Sequence, residues 1–91
     1  IFLIVNFPMN PAFKLTEFFG RYGPTWTTAE YIIADVKTIE SKRPNVHFYD
    51  AYNNGDHDYT DEDAVNSDHL SGKGAAKLSA RIDSVISTIL K

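Results

Sequence analysis

The chain opens on five apolar residues in succession, Ile1-Phe2-Leu3-Ile4-Val5. A strand with no polar alternation is the kind that a parallel sheet buries on both faces. Asn6-Phe7-Pro8 ends the run. Asn10-Pro11 then offers an N-cap followed by proline at the first helical position, so a short helix is predicted over residues 12–19. Phe13, Leu15, Phe18 and Phe19 supply its apolar contacts, and Gly20 its stop. Residues 20–26, with Gly23-Pro24, read as a loop.

Thr27-Thr28-Ala29-Glu30 has the form of a capping box. Behind it Ala29, Ile32, Ile33, Val36 and Ile39 recur at helical spacing until Arg43-Pro44 forces an exit. Val46-His47-Phe48-Tyr49-Asp50 is the second strand candidate. Residues 51–70 carry no period and contain Asn53-Asn54-Gly55, which predicts a long polar loop, and loops of that length in a compact domain are commonly functional or disordered. Ser71 then caps a helix whose apolar positions Ala75, Leu78, Ile82, Val85, Ile86 and Ile89 keep a 3.6-residue period.

Strand, helix, strand, loop, helix is the order of an α/β fold with parallel strands joined by right-handed crossovers. The architecture expected is part of a three-layer α/β/α sandwich. Two strands cannot cover their own faces and edges, so further strands are expected before Ile1, and residues 1–91 read as a single domain or the C-terminal part of one. Ligands of open parallel sheets bind beyond the carboxyl ends of the strands. Two segments leave those ends here: residues 6–10, and the acidic loop.

Charge narrows the function classes. The net charge is −3, with nine Lys and Arg against twelve Asp and Glu. Asp50, Asp56, Asp58, Asp61, Glu62, Asp63 and Asp68 all fall between Arg43 and Lys73, a window with no basic residue. No basic stripe exists to neutralise phosphates, so nucleic acid is not expected as a partner. Cysteine is absent, which excludes disulfides, zinc–thiolate sites and thiol catalysis. No apolar run approaches the ~20 residues of a membrane span.

The candidate chemistry lies in Asn66-Ser67-Asp68-His69-Leu70-Ser71, where a histidine stands between an acidic loop and a helix start. An imidazole so placed transfers protons near neutral pH, provided that an acceptor on its other nitrogen fixes the tautomer. An orienting residue three positions earlier lets the turn close on the ring, and that position is Asn66. The run Asn66-Ser67-Asp68-His69-Leu70-Ser71-x-x-Gly74-Ala75 before an amphipathic helix resembles the last block of the SGNH (GDSL-like) hydrolases.

That resemblance implies an α/β/α sandwich and an esterase, lipase or carbohydrate deacetylase. It implies His69 as general base, oriented by Asn66 or by a neighbouring acid such as Asp68. The substrate would be a small-molecule or carbohydrate acyl ester, and a secreted or cell-envelope setting fits the carbohydrate-acting members. The family's Gly-Asp-Ser nucleophile block and its oxyanion Gly and Asn blocks have no match here and would precede Ile1. The residues alone would then be inactive. Asn66 stands where the family has Asp; its carbonyl accepts a hydrogen bond but carries no charge to stabilise an imidazolium. Ser67 lies within the turn and Ser71 at the helix cap, so neither replaces the nucleophile.

Plainer readings stand beside these. His69 also reads as a partly buried histidine bonding a backbone carbonyl near a helix start, and the whole as a binding or scaffolding domain without chemistry. Asp56-His57-Asp58 and Asp61-Glu62-Asp63 suggest calcium by composition, but Gly55 precedes the acids and the EF-hand register is not met, so a solvated loop is the simpler account. His47 alternates with Val46 and Phe48 as a structural strand residue. His57 has no second histidine at zinc spacing. Phe7, Trp26, Tyr31, Tyr52 and Tyr59 suit either a cleft or ordinary packing. Gly72-Lys73-Gly74 lacks the length of a phosphate loop. No cofactor or metal is expected.

Overall fold

The computed structural model describes residues 1–19, 23–66 and 69–91. β1 (Phe2–Asn6) and β2 (Val46–Asp50) pair in parallel, Phe2 opposite Val46 and Asn6 opposite Asp50. α1 (Trp26–Lys42) lies between them in sequence, the kind of crossover that a parallel pair needs. The chain is therefore a mixed α/β fold built on a small parallel sheet. β3 (Ala64–Asn66) and β4 (His69–Leu70) form a short antiparallel pair, and α2 (Gly72–Ile89) follows.

Three expectations are corrected by local hydrogen bonding. The helix placed over residues 12–19 is a 3-10 turn, Pro11–Leu15, with Asn10 as its N-cap accepting from the Ala12 N–H at 2.9 Å. Thr16 ends it: its hydroxyl contacts the Phe13 and Phe18 carbonyls at 2.8 and 2.9 Å. Phe18 then bridges to Thr25 in antiparallel sense, so the segment turns back on itself. Gly20, its predicted stop, lies outside the described residues.

α1 starts two residues earlier than the capping box read from the sequence implies, its N-cap moving from Thr27 to Thr25. The Thr25 hydroxyl accepts the Thr28 N–H at 3.3 Å. The earlier start puts Trp26 in the first turn, where its indole N–H donates to the Phe13 carbonyl at 2.8 Å. That bond locks the 3-10 turn to the helix.

Residues 51–70 are not one irregular loop. Asn53–Gly55 and Asp61–Asp63 are single 3-10 turns, and β3 and β4 follow. Asn53, Asn54 and Gly55 all have positive φ, at 48°, 56° and 84°. Asn and Gly tolerate this left-handed region best, and here it reverses the chain directly after β2. Asp50 Oδ1 accepts the Asn53 N–H at 3.0 Å and the Asn6 side-chain amide at 2.9 Å, joining the turn to the ends of both strands.

Among the described residues Pro8, Ala29, Ala51, Tyr52 and Leu78 are buried apolar residues. Around Tyr52 the rings of Phe19, Trp26, Tyr52, His57 and Tyr59 follow one another at centroid distances of 5.0 to 5.9 Å. Mostly edge-on or tilted geometry of this kind favours aromatic packing.

β1 is not covered on both faces as its sequence predicts: Phe2 is 65% exposed, and Ile4 and Phe7 are exposed as well. The two sheet edges also differ. At β2 the Phe48 N–H, which points away from β1, donates to the Glu40 carboxylate of α1 at 2.5 Å. A charged side chain turned onto a strand edge blocks further pairing. Among the described residues β1 pairs with β2 alone. The accessible surface of 6174 Å² exceeds the about 5300 Å² that size scaling gives a compact monomer of 10.2 kDa.

Candidate functional site

A cleft of about 70 Å³ opens where β1 ends. One wall is residues 7–11, the segment leaving the strand; the other polar residues lining it include His57, Asp63, Asn66 and His69. The two segments singled out in the sequence thus meet at the carboxyl rim of the parallel sheet, where open α/β folds bind ligands.

His69 and Asn66 face each other across the β3–β4 pair. The imidazole Nδ1 is 2.9 Å from Asn66 Oδ1. An amide oxygen only accepts, so the ring donates from Nδ1, and the neutral imidazole keeps its lone pair on Nε2. Both residues are exposed at the cleft. Asp68, the third site residue read from the sequence, lies outside the described residues, as does Ser67.

Asp63 holds this loop against α2. It is 2% exposed, and its Oδ2 accepts the Thr60 N–H at 2.9 Å and the Lys77 ammonium at 3.2 Å. The bond to Thr60, helped by Lys77, keeps the Asp63 carboxyl below the usual carboxylate range against the opposing effect of its burial. Its backbone carbonyl accepts the Ser71 N–H at 2.8 Å. Ser71 caps α2 through the Gly74 N–H at 3.1 Å and donates to the Glu62 carbonyl at 2.8 Å. The cap of the helix and the brace of the loop are thus one network.

Three acids of the loop, Asp58, Glu62 and Asp63, are matched to basic residues of α2. Asp58 takes a two-pronged contact from the Arg81 guanidinium, at 2.6 and 2.7 Å, which pulls its carboxyl well below the ordinary range and raises that of Arg81. Lys73 pairs with Glu62 in the same way, lowering the glutamate and raising the lysine. Of the acids for which calcium was weighed from composition, Asp58, Glu62 and Asp63 are instead held by guanidinium and ammonium groups. Among the described residues no cluster of three or more metal-ligating side chains is found.

Sequence reading missed two residues of the site. His57 appeared there within the acidic cluster weighed for calcium and as an unsuited zinc ligand, yet it is half-buried and bonds across to Met9. Asp63 looked like one acid among many; the signal for it was Thr60-x-x-Asp63, the spacing of a side chain returning to its own N-cap. Asn66 and His69 are brought together as the spacing of three predicts. His47 sits half-buried in β2, away from the cleft lining, while Tyr59 does line it. Gly72-Lys73-Gly74 opens α2, with Lys73 committed to Glu62.

No family model matches the chain, and neither a curated protein nor a solved structure is significantly similar to it.

Proposed function

We propose that the chain is the C-terminal part of an SGNH-like serine hydrolase acting on an acyl ester, possessing the base but not the nucleophile. The observation that carries this reading is the Asn66–His69 hydrogen bond at a cleft beside the end of β1. It fixes the tautomer in which Nε2 accepts a proton, as a general base for a serine requires. Asn66 orients the ring. The serine and the oxyanion donors come from residues outside these ninety-one. In this reading the sheet grows on the β1 side, since Glu40 blocks the other edge and Phe2 and Ile4 are exposed beside the open one. The finished architecture is the three-layer sandwich.

The test is hydrolysis of p-nitrophenyl acetate by the full-length protein and its His69→Ala variant. A triad base is worth a factor of about 10³ or more in kcat, so a loss of that size is the expected result. Undiminished hydrolysis overturns the proposal.

Asn66 itself favours a second reading, a binding or scaffolding domain without catalysis, because a neutral amide gives an imidazolium no charge to rest against. The sequence before Ile1 separates the two. A Gly-Asp-Ser-like turn after a strand supports the hydrolase, and its absence supports the binding domain.

A further inference from the structure

Two histidines line the cleft, and their hydrogen bonds demand opposite tautomers. His69 donates from Nδ1 to Asn66. His57 has Nε2 2.8 Å from the Met9 carbonyl, to which only an N–H can bond, and its Nδ1 accepts the Tyr59 N–H at 3.3 Å. Both nitrogens of His57 are thus engaged by backbone, and the ring is held beside Tyr52 and Tyr59, with centroids 5.8 and 5.4 Å away. A ring committed in this way has no lone pair to offer a substrate. It does join two parts of the chain forty-eight residues apart. Met9 belongs to the wall that leaves β1, and Tyr59 to the loop that leads to Asn66 and His69.

We propose that His57, as its Nε2–H tautomer, is the positioning residue that sets the wall of residues 7–11 against the His69 side of the cleft. The inference rests on the hydrolase reading for its kinetic consequence, but not for its structural one. The left-handed Asn53-Asn54-Gly55 turn leads the chain back from β2. Asn53 secures its exit by donating from the side-chain amide to the Asp56 carbonyl at 3.0 Å, one residue before the ring. Wall, turn and ring therefore form one closed path: β1 to Met9, Met9 to His57, and His57 through the Asn53 turn to β2. Among the described residues the other hydrogen bonds of the wall's backbone and Asn10 are local: Met9 N–H to the Phe7 carbonyl at 3.0 Å, Phe13 N–H to the Asn10 carbonyl at 3.1 Å, and Ala12 N–H to the Asn10 side chain.

The experiment uses ¹⁵N-labelled full-length protein, with His57→Leu and His57→Gln. Glutamine can donate to Met9 from its amide nitrogen and accept from Tyr59 on its oxygen; leucine can do neither. At neutral pH the His57 ring is expected to give the nitrogen signature of the Nε2–H tautomer, and the Nδ1–H signature overturns the proposal. Amide exchange at Met9 and Ala12 is expected to quicken about tenfold in His57→Leu and to return towards wild type in His57→Gln, the scale of one lost hydrogen bond. Exchange unchanged in the leucine variant overturns the proposal too.

Against p-nitrophenyl acetate, His57→Leu is expected to raise KM about tenfold with kcat within about threefold of wild type. A collapse of kcat like that of His69→Ala would make His57 catalytic instead and sink the positioning role. Wild-type protein with no esterase activity removes the hydrolase reading alone, because tautomer and exchange still decide the clamp.

Discussion

The Asp63 carbonyl lies so close to the backbone of Gly74 that a Cβ at that glycine would stand 1.9 Å from the oxygen and 2.8 Å from the carbonyl carbon. The same oxygen receives the Ser71 N–H at 2.8 Å. The first turn of α2 is thereby pressed onto the loop carrying Asn66 and His69, at a distance that only a residue without a side chain allows.

Gly74→Ala is therefore expected to destabilise the protein by about 3 kcal/mol, the upper range for forcing atoms into a packed site, because backbone must move on both sides. Gly72→Ala is the control. Nothing lies within 4 Å of a Cβ there, so the helical preference of alanine is expected to leave stability unchanged or raise it by up to about 1 kcal/mol. Thermal denaturation of both variants checks the pair, and equal melting temperatures would refute the close approach.

Asp58, Glu62 and Asp63 all titrate below their ordinary values, through Arg81, Lys73 and the Thr60 N–H respectively. Unfolded carboxyls take up protons near about pH 4, while these three in the folded protein still resist them. The unfolded chain then binds more protons, so stability present above that range is lost as pH falls through it towards the folded values. The melting temperature is expected to be level between about pH 8 and 5 and to drop below about 4. Asp58→Asn should lower the neutral plateau only modestly, the Arg81 pair being largely exposed, and should flatten the acid slope. An acid slope identical to wild type would remove Asp58 from this account.

Tyr52 is 1% exposed, and its hydroxyl has no hydrogen-bond partner among the described residues. Burial, and after it the Asp50 carboxylate, pushes the phenol above its ordinary value. A buried hydroxyl that bonds nothing has lost its water without compensation, so Tyr52→Phe is expected to stabilise by about 1 kcal/mol. Tyr52→Ala removes the centre of the aromatic row and is expected to destabilise by about 3 to 5 kcal/mol. Denaturant midpoints measure both. A phenylalanine variant weaker than wild type would mean that the hydroxyl is bonded after all.

The periodic parts of this fold were legible before any coordinate. Ala29, Ile33 and Val36 repeat at 3.6 residues, and α1 lies there; Ser71 was read as a cap and accepts the Gly74 N–H. The unbroken apolar run of β1 foretold parallel pairing with Val46–Asp50. Much of what escaped depends on partners distant in sequence. Asn10-Pro11 begins a helix by every local rule, yet the Trp26 indole and the Thr16 hydroxyl capture the Phe13 carbonyl and stop it after one turn. Asp63 is ordinary in composition and buried in fact, because Lys77 and Thr60 meet it from two directions. Of the site, the Asn66–His69 pair was readable since its spacing is local. The His57–Met9 bond spans forty-eight residues and leaves no trace in spacing.

Asn66 offers the sharpest test of the proposed chemistry. Its Oδ1 already holds His69 Nδ1 at 2.9 Å, so Asn66→Asp changes the charge with almost no change of shape. An aspartate there would accept the same bond and add the negative charge against which an imidazolium forms. In a serine protease triad the reverse change costs about 10⁴ in kcat, much of it through the wrong tautomer. The tautomer is already correct here, so the gain expected in the full-length protein is smaller, about 10²-fold in kcat with KM little altered. The same substitution in a His69→Ala background should gain nothing, since the carboxylate would have no ring to act through. Steady-state hydrolysis of p-nitrophenyl acetate by the two single variants and the double variant measures both effects. Equal gains with and without His69 would show that the charge acts elsewhere and that the pair is not a catalytic unit.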